Sequence, residues 1–189
     1  MSNQATENDK NKDLNIEALI NKIAFDIVNE EILKENEINK LLGILANNGV
    51  YAMWVYALDK LDTVFKIDDN FLIKRPKLFE LILLLKPILY KVYQACFIDG
   101  LLQKEENKKN ELTQKIKEIN GEDLSDKEKE KKRNKLKKEI IDYLTKEFVK
   151  ETSIYLQIVS KDLYKLLFLK QLLEKTLIYA RYHAKALGD

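Results

Sequence analysis

Only five glycines and two prolines punctuate this chain of 189 residues, and that scarcity constrains it more than any motif does. Tight turns draw on the positive φ that glycine tolerates or on the fixed φ of proline. A chain with so few of either cannot reverse direction often, so long helices joined by short polar connections are expected. Lys, Glu, Leu and Ile dominate the rest, three good helix formers and one β-branched core residue. The expectation is an all-α fold: a single helical bundle of roughly six to eight helices with a projecting charged helical hairpin. The length suits one domain with a real core.

Helical phase places the elements. Residues 1–13 bury nothing and are expected to be a disordered N-terminus, with the bundle over 14–189. Asp13 or Asn15 can cap a first helix in which Ile16, Leu19, Ile20, Ile23 and Ile27 recur at spacings of three and four. Asn36 interrupts, and Ile38, Leu41, Leu42 and Leu45 mark the next face. Asn47-Asn48-Gly49 tolerates a left-handed backbone, yet Val50, Met53, Trp54, Ala57, Leu58 and Leu61 keep the apolar phase. Either a helix stops and restarts there, or Gly49 sits inside one helix against another backbone; the stop is the expectation. Asp62 to Lys74 reads as a loop.

Pro76 suits the first turn of a helix running to Gly100, kinked or divided by Pro87. Leu78 to Leu89, apolar almost all round, reads as the central helix. From Lys104 to Glu139 charges fill the chain and apolar residues thin to Leu112, Ile116, Ile119, Leu124 and Leu136. With Gly121 at a turn and a capping box at Ser125 and Glu128, residues 104–139 form the hairpin arm. Ile140, Ile141, Leu144, Phe148 and Val149 return to the core. A last helix from about Lys161 carries a broad apolar face of Leu163, Leu166, Leu167, Leu169, Leu173, Ala180, Ala184 and Leu187.

Little points to catalysis. A lone Cys96 builds neither a disulfide nor a zinc site, and His183 has no partner at a diagnostic spacing. Serines are few and no phosphate-cradling glycine loop occurs. No enzyme activity, cofactor or metal is expected. Residues 1–13 lack the apolar core of a signal peptide, and the uncharged apolar run Val50–Leu58 falls short of the roughly 20 residues a bilayer needs. A soluble, cytoplasmic protein without membrane contact is expected.

Charge carries the functional signal. The net charge is +2, but residues 1–70 hold 7 basic and 13 acidic side chains, against 26 and 18 in residues 71–189. An acidic end and a basic body suit head-to-tail stacking and contact with a polyanion. The candidate nucleic-acid set is led by Lys165, Lys170, Lys175, Arg181 and Lys185 on the last helix, followed by Lys74 and Arg75. The arm comes last: Lys132 and Arg133, within the cluster Lys127, Lys129, Lys131, Lys135, Lys137 and Lys138. Phosphate contact needs charge within reach and no exact spacing, so such runs are more often a solvated face than a site. Aromatic rings on the helix after Asn48-Gly49 can stack on bases; Trp54 shares its face with Val50 and Leu58 and reads as core, whereas Tyr51 and Tyr56 lie off that stripe and stay open between core and contact.

Two segments, Leu41-Leu42-Gly43-Ile44-Leu45-Ala46-Asn47-Asn48-Gly49-Val50 running into Tyr51–Leu58, and Glu174–Leu187, have a particular order and separation. A leucine-rich helix meets Asn-Gly before an apolar-aromatic helix, and Leu177-Ile178-Tyr179-Ala180-Arg181-Tyr182-His183-Ala184 closes the chain. In this the chain resembles the small α-helical subunit of the type III-B (Cmr) CRISPR effector complexes, or its sibling in another type III system, over Asn36–Asp62 and Leu172–Leu187. It departs from that pattern in lacking a proline before Asn-Gly, in Val50 where leucine is common, and in its longer arm. The resemblance implies a non-catalytic scaffold stacked with further copies of itself in an inner filament. Its partners would be other subunits of the complex and target RNA, or the guide RNA–target RNA duplex, touched through basic side chains while base pairing supplies specificity. Two other readings stand beside it: a protein-interaction module gripping through a coiled-coil-like arm without nucleic acid, and a small DNA-binding regulator, which needs a compact helix-turn-helix and a symmetric dimer.

Overall fold

Residues 15–188 are described by a computed structural model of the protein. The expected disorder of residues 1–13 and a cap at Asp13 fall outside them. Asn15 does cap α1 (Ile16–Asn29), its side chain accepting from the Glu17 N–H at 3.1 Å. Leu19, Ile20, Ile23, Ala24 and Ile27 form the buried stripe of this helix. The chain reverses at Glu30–Lys34, where Glu31 takes φ 54°, and α2 (Glu35–Lys60) follows.

Gly49 has φ 85° and ψ −178°, far from helical values, so α2 is two helices meeting at one residue. An ideal Cβ on Gly49 would meet no heavy atom within 4 Å. Close packing is therefore not what the glycine serves; the backbone angle is, and the expected stop-and-restart is what the chain does. At the break Lys170 Nζ reaches the Ala46 oxygen at 3.2 Å, and one turn earlier Asn47 Nδ2 donates to the Gly43 oxygen at 2.8 Å.

The expected loop over 62–74 holds a short antiparallel ribbon, β1 (Lys66–Ile67) and β2 (Ile73–Lys74), with Lys66 opposite Lys74. Asp68 closes it, its Oδ1 accepting from the N–H groups of Asn70 at 2.9 Å and Leu72 at 3.0 Å. Pro76 immediately precedes α3 (Lys77–Val92), whose Leu78, Phe79, Leu81, Ile82, Leu85, Ile88 and Leu89 are buried, as a central helix requires.

α3 does not run on to Gly100 as expected from sequence. The helix passes Pro87, ends at Val92 with Tyr93 extended, and α4 (Cys96–Gly121) begins so soon that Gly100 lies inside it. The turn brings Ala95 and Ile98, both fully buried, back onto the core. A straight helix would have carried them past it.

α4 runs out and α5 (Asp126–Ser160) returns, making a hairpin longer than the expected 104–139 because both helices continue into the body. Glu128 reaches back to Ser125, accepting from its N–H at 3.1 Å and its hydroxyl at 2.6 Å. Leu112, Ile116 and Ile119 of α4 and Leu136 and Ile140 of α5 are the buried side chains of the arm. Asp162 then caps α6 (Leu163–Leu187), accepting from the N–H groups of Tyr164 and Lys165 at 3.0 and 3.2 Å, and Gly188 ends it at φ 78°. α6 lies against α1 and α2, α3 fills in behind α1 and α6, and α5 joins the hairpin to this group.

At the centre Phe148 is fully buried, edge-on to Phe79 at 5.2 Å and to Trp54 at 6.3 Å. Trp54 is thus a core residue, whereas Tyr51 is 53% exposed and Tyr56 half-buried. The broad apolar face expected of α6 is not all core. Leu169, Leu173, Ala180 and Ala184 are buried, but Leu163 and Leu167 are exposed, because the first turns of α6 run past the body, and Leu187 is exposed at its last turn. His183 bonds Asn21 Oδ1 at 3.1 Å and stands edge-on to Phe25. An 18-residue stretch of α2 has the length and mean hydropathy, 1.3, of a membrane-spanning segment, but Gly49 breaks the helix and Leu41, Leu45, Val50, Trp54 and Ala57 face the core.

Candidate nucleic-acid interface

On α6 the leading candidates divide by their neighbours. Lys165 lies 3.4 Å from Asp162 and over the ring of Tyr93, and Lys170 lies 3.4 Å from Glu174. Lys175 is bonded to Glu17 across the α1–α6 contact. That bond holds the Glu17 carboxyl below the usual carboxylate range and the Lys175 ammonium above its ordinary value. Arg181 lies over Tyr182, and neither it nor Lys185 has a carboxylate within 4.0 Å among the described residues.

Of the second group, Arg75 presents Nε to both oxygens of Glu105, at 3.0 and 2.9 Å, and so fastens the start of α3 to α4. Lys74 stands 3.5 Å from Asp68 at the ribbon. Both are met by carboxylates and do not extend the α6 set. A surface ion pair is worth only about 0–1 kcal/mol, but a phosphate must still displace the carboxylate to reach these lysines. The candidates of the first two groups do not form one free positive track.

The arm cluster sorts differently, by helical phase. Lys129, Lys132 and Arg133 lie on the side of α5 that faces the end of α4. Lys129 Nζ donates to the Asn120 carbonyl at 3.1 Å, Arg133 bonds the Asn120 side chain, and Lys132 pairs with Glu122. The last turn of α4 contains no base of its own, so these three supply the positive charge that its carbonyl end favours. Lys137 is also occupied, donating to the Asp68 carbonyl at 2.9 Å over the Phe71 ring. Lys132 and Arg133, chosen from sequence for RNA, are therefore parts of the hairpin turn.

On the opposite side of α5 stand Lys127, Lys131 and Lys138, with Lys135 at the edge of that face where it also borders the groove toward α4, all exposed. At 100° per residue they fall within an arc of about 80°, facing away from Leu136 and Ile140, and span about 17 Å of helix. Lys135 has Glu139 at 3.9 Å, the outer limit of an ion pair, and the other three have no carboxylate partner among the described residues. Four ammonium groups along one helical face can follow several phosphates of a strand without reading its bases. The expectation from sequence places this stretch last; the phase of positions 127, 131, 135 and 138 is the signal that singles out its outer face.

Among the described residues no group of three or more His, Cys, Asp or Glu side chains could hold a metal ion. Comparison with protein-family models, with characterised proteins and with solved structures finds no match to this chain.

Proposed function

We propose that this chain is a non-catalytic, cytoplasmic small subunit of an RNA-guided type III CRISPR complex, laying the outer face of α5 along the backbone of target RNA. The all-α bundle agrees with the resemblance carried by Asn36–Asp62 and Leu172–Leu187, and the lysine stripe of α5 is the observation that carries the reading. The break at Gly49 places the Asn48-Gly49 signature at a true helix junction.

Fluorescence anisotropy with single-stranded RNA over a salt series tests it. Four phosphate contacts give a log–log slope of about −2.8, at about −0.7 each, so affinity falls roughly 50-fold between 50 and 200 mM salt. In K127E/K131E/K138E the slope should shrink to about −0.7. Salt-independent binding, or a triple variant that binds like the parent, refutes the assignment.

One observation favours a second reading, a protein-binding helical module. Leu163, Tyr164 and Leu167 are 64%, 85% and 48% exposed and, with Phe168, share the solvent side of the first turns of α6. Such a patch on a soluble domain marks a contact surface more often than chance. A chain that binds no RNA at low salt, yet retains a protein partner through nuclease and high salt, supports this reading and removes the first.

A further inference from the structure

A cleft far along the chain from the α5 stripe carries a different excess of charge. It lies between the two ends of α2 and the start of α3, has a volume of about 410 Å³, and is lined by Lys34, Lys40, Lys60 and Lys77 with Glu37 and Tyr56. That volume falls within the roughly 300–1,000 Å³ of small-molecule sites. We propose that this cleft binds a nucleotide, its phosphates on the lysines and its base against Tyr56.

The charge of the cleft is the first argument. Four lysines line it against one glutamate, and that glutamate is spent: Lys77 Nζ meets both its oxygens at 2.9 and 3.1 Å, and the Lys34 N–H donates to it at 2.8 Å. Lys60 is paired with its neighbour Asp59 at 2.7 Å, whereas the ammonium groups of Lys34 and Lys40 have no carboxylate partner among the described residues. The groove on the arm shows the contrast, with Lys115, Lys132 and Lys135 balanced by Glu118, Glu122 and Glu139. Lysines lining a concavity, two of them without a carboxylate partner among the described residues, offer phosphoryl oxygens short charge-assisted hydrogen bonds.

The floor is the second argument. Leu41 and Leu61 are buried and present an apolar base to the cleft, and the half-buried Tyr56 supplies a ring at its wall. A site for bare phosphate needs neither. An aromatic ring beside an apolar floor suits a planar base, which every nucleotide offers. The RNA reading above neither supports nor requires this site.

Isothermal titration of the full chain at low salt, with ATP, pyrophosphate and adenosine as probes, tests it. ATP should bind more tightly than pyrophosphate, and adenosine should give no measurable heat. K34E/K40E should weaken ATP by about tenfold or more, and Y56L should weaken ATP while leaving pyrophosphate unchanged. If K34E/K40E melts early, K40A serves, with a smaller loss expected in the same direction. ATP binding that survives in these lysine variants and disappears in K127E/K131E/K138E places the ligand on the arm and overturns the proposal, as does the absence of ATP binding at millimolar concentration. Equal ATP affinity in Y56L overturns the base contact.

Discussion

Replacing Gly49 by alanine tests whether the backbone angle holds the helix break. With φ 85° and ψ −178°, Gly49 occupies a region essentially closed to residues with a Cβ, and holding alanine there costs about 1–3 kcal/mol. No clash adds to this, since nothing lies within 4 Å of the new Cβ. For a domain of this size each kcal/mol moves the melting temperature by about 2–4 °C, so G49A should melt about 4–8 °C lower at the middle of the range. Gly43 is the control: it lies in the first half of the same element, helical and with open space around its Cβ. G43A should instead stabilise, by about 0.5–1 kcal/mol. Thermal melts followed by circular dichroism at 222 nm read both. If G49A melts at or above the parent temperature, or gains as much as G43A, the break is not held by the backbone angle and the account of α2 fails.

Two further outcomes follow from the packing and the caps. F148A removes a fully buried ring between Phe79 and Trp54 and should cost about 3–5 kcal/mol; the fluorescence of Trp54, the single tryptophan, should show the midpoint of urea unfolding falling, and an unchanged midpoint would contradict the central placement of Phe148. The N–H of Lys165, bonded to the Asp162 carboxylate, holds that carboxyl below its ordinary value, with the Lys165 ammonium adding to the effect. A depressed folded pKa adds stability above the unfolded value, about 3.9, and that stability is lost as pH falls through the lower folded value. D162A should therefore be less stable than the parent at pH 7, with the gap closing as pH falls below 4 in acid titrations followed by circular dichroism; a gap that widens toward acid would refute the cap.

Much of the fold is legible from local pattern. The cap at Asn15, the stop at Gly49, the cap pair Ser125–Glu128 and the burial of Trp54 and Phe148 each depend on residues within a few positions of one another or on helical phase. The end of α3 is not legible, because Pro87 marks the obvious place for a break while the burial of Ala95 and Ile98, a tertiary demand, sets the actual one. The site was harder still. Glu17 meets Lys175 across 158 positions, and Arg75 meets Glu105 across 30, so no local reading distinguishes a committed base from a free one. Within α5 the distinction was local, since phase alone divides Lys129, Lys132 and Arg133 from Lys127, Lys131 and Lys138.

Along the inward side of α4 the contacts change character twice. Leu101 is buried, Glu105 and Lys108 take the next two inward positions, and Leu112 is buried again. Around that interval Lys104 meets Glu147 at 2.5 Å and Glu151 at 3.1 Å, and Lys108 lies over the Tyr143 ring. Ionic strength weakens such partly exposed pairs and leaves the apolar contacts on either side almost untouched. Added salt should thus act as a hinge pin withdrawn from the middle of the hairpin, hastening amide exchange near Lys104–Lys108 before it reaches Leu112–Ile119.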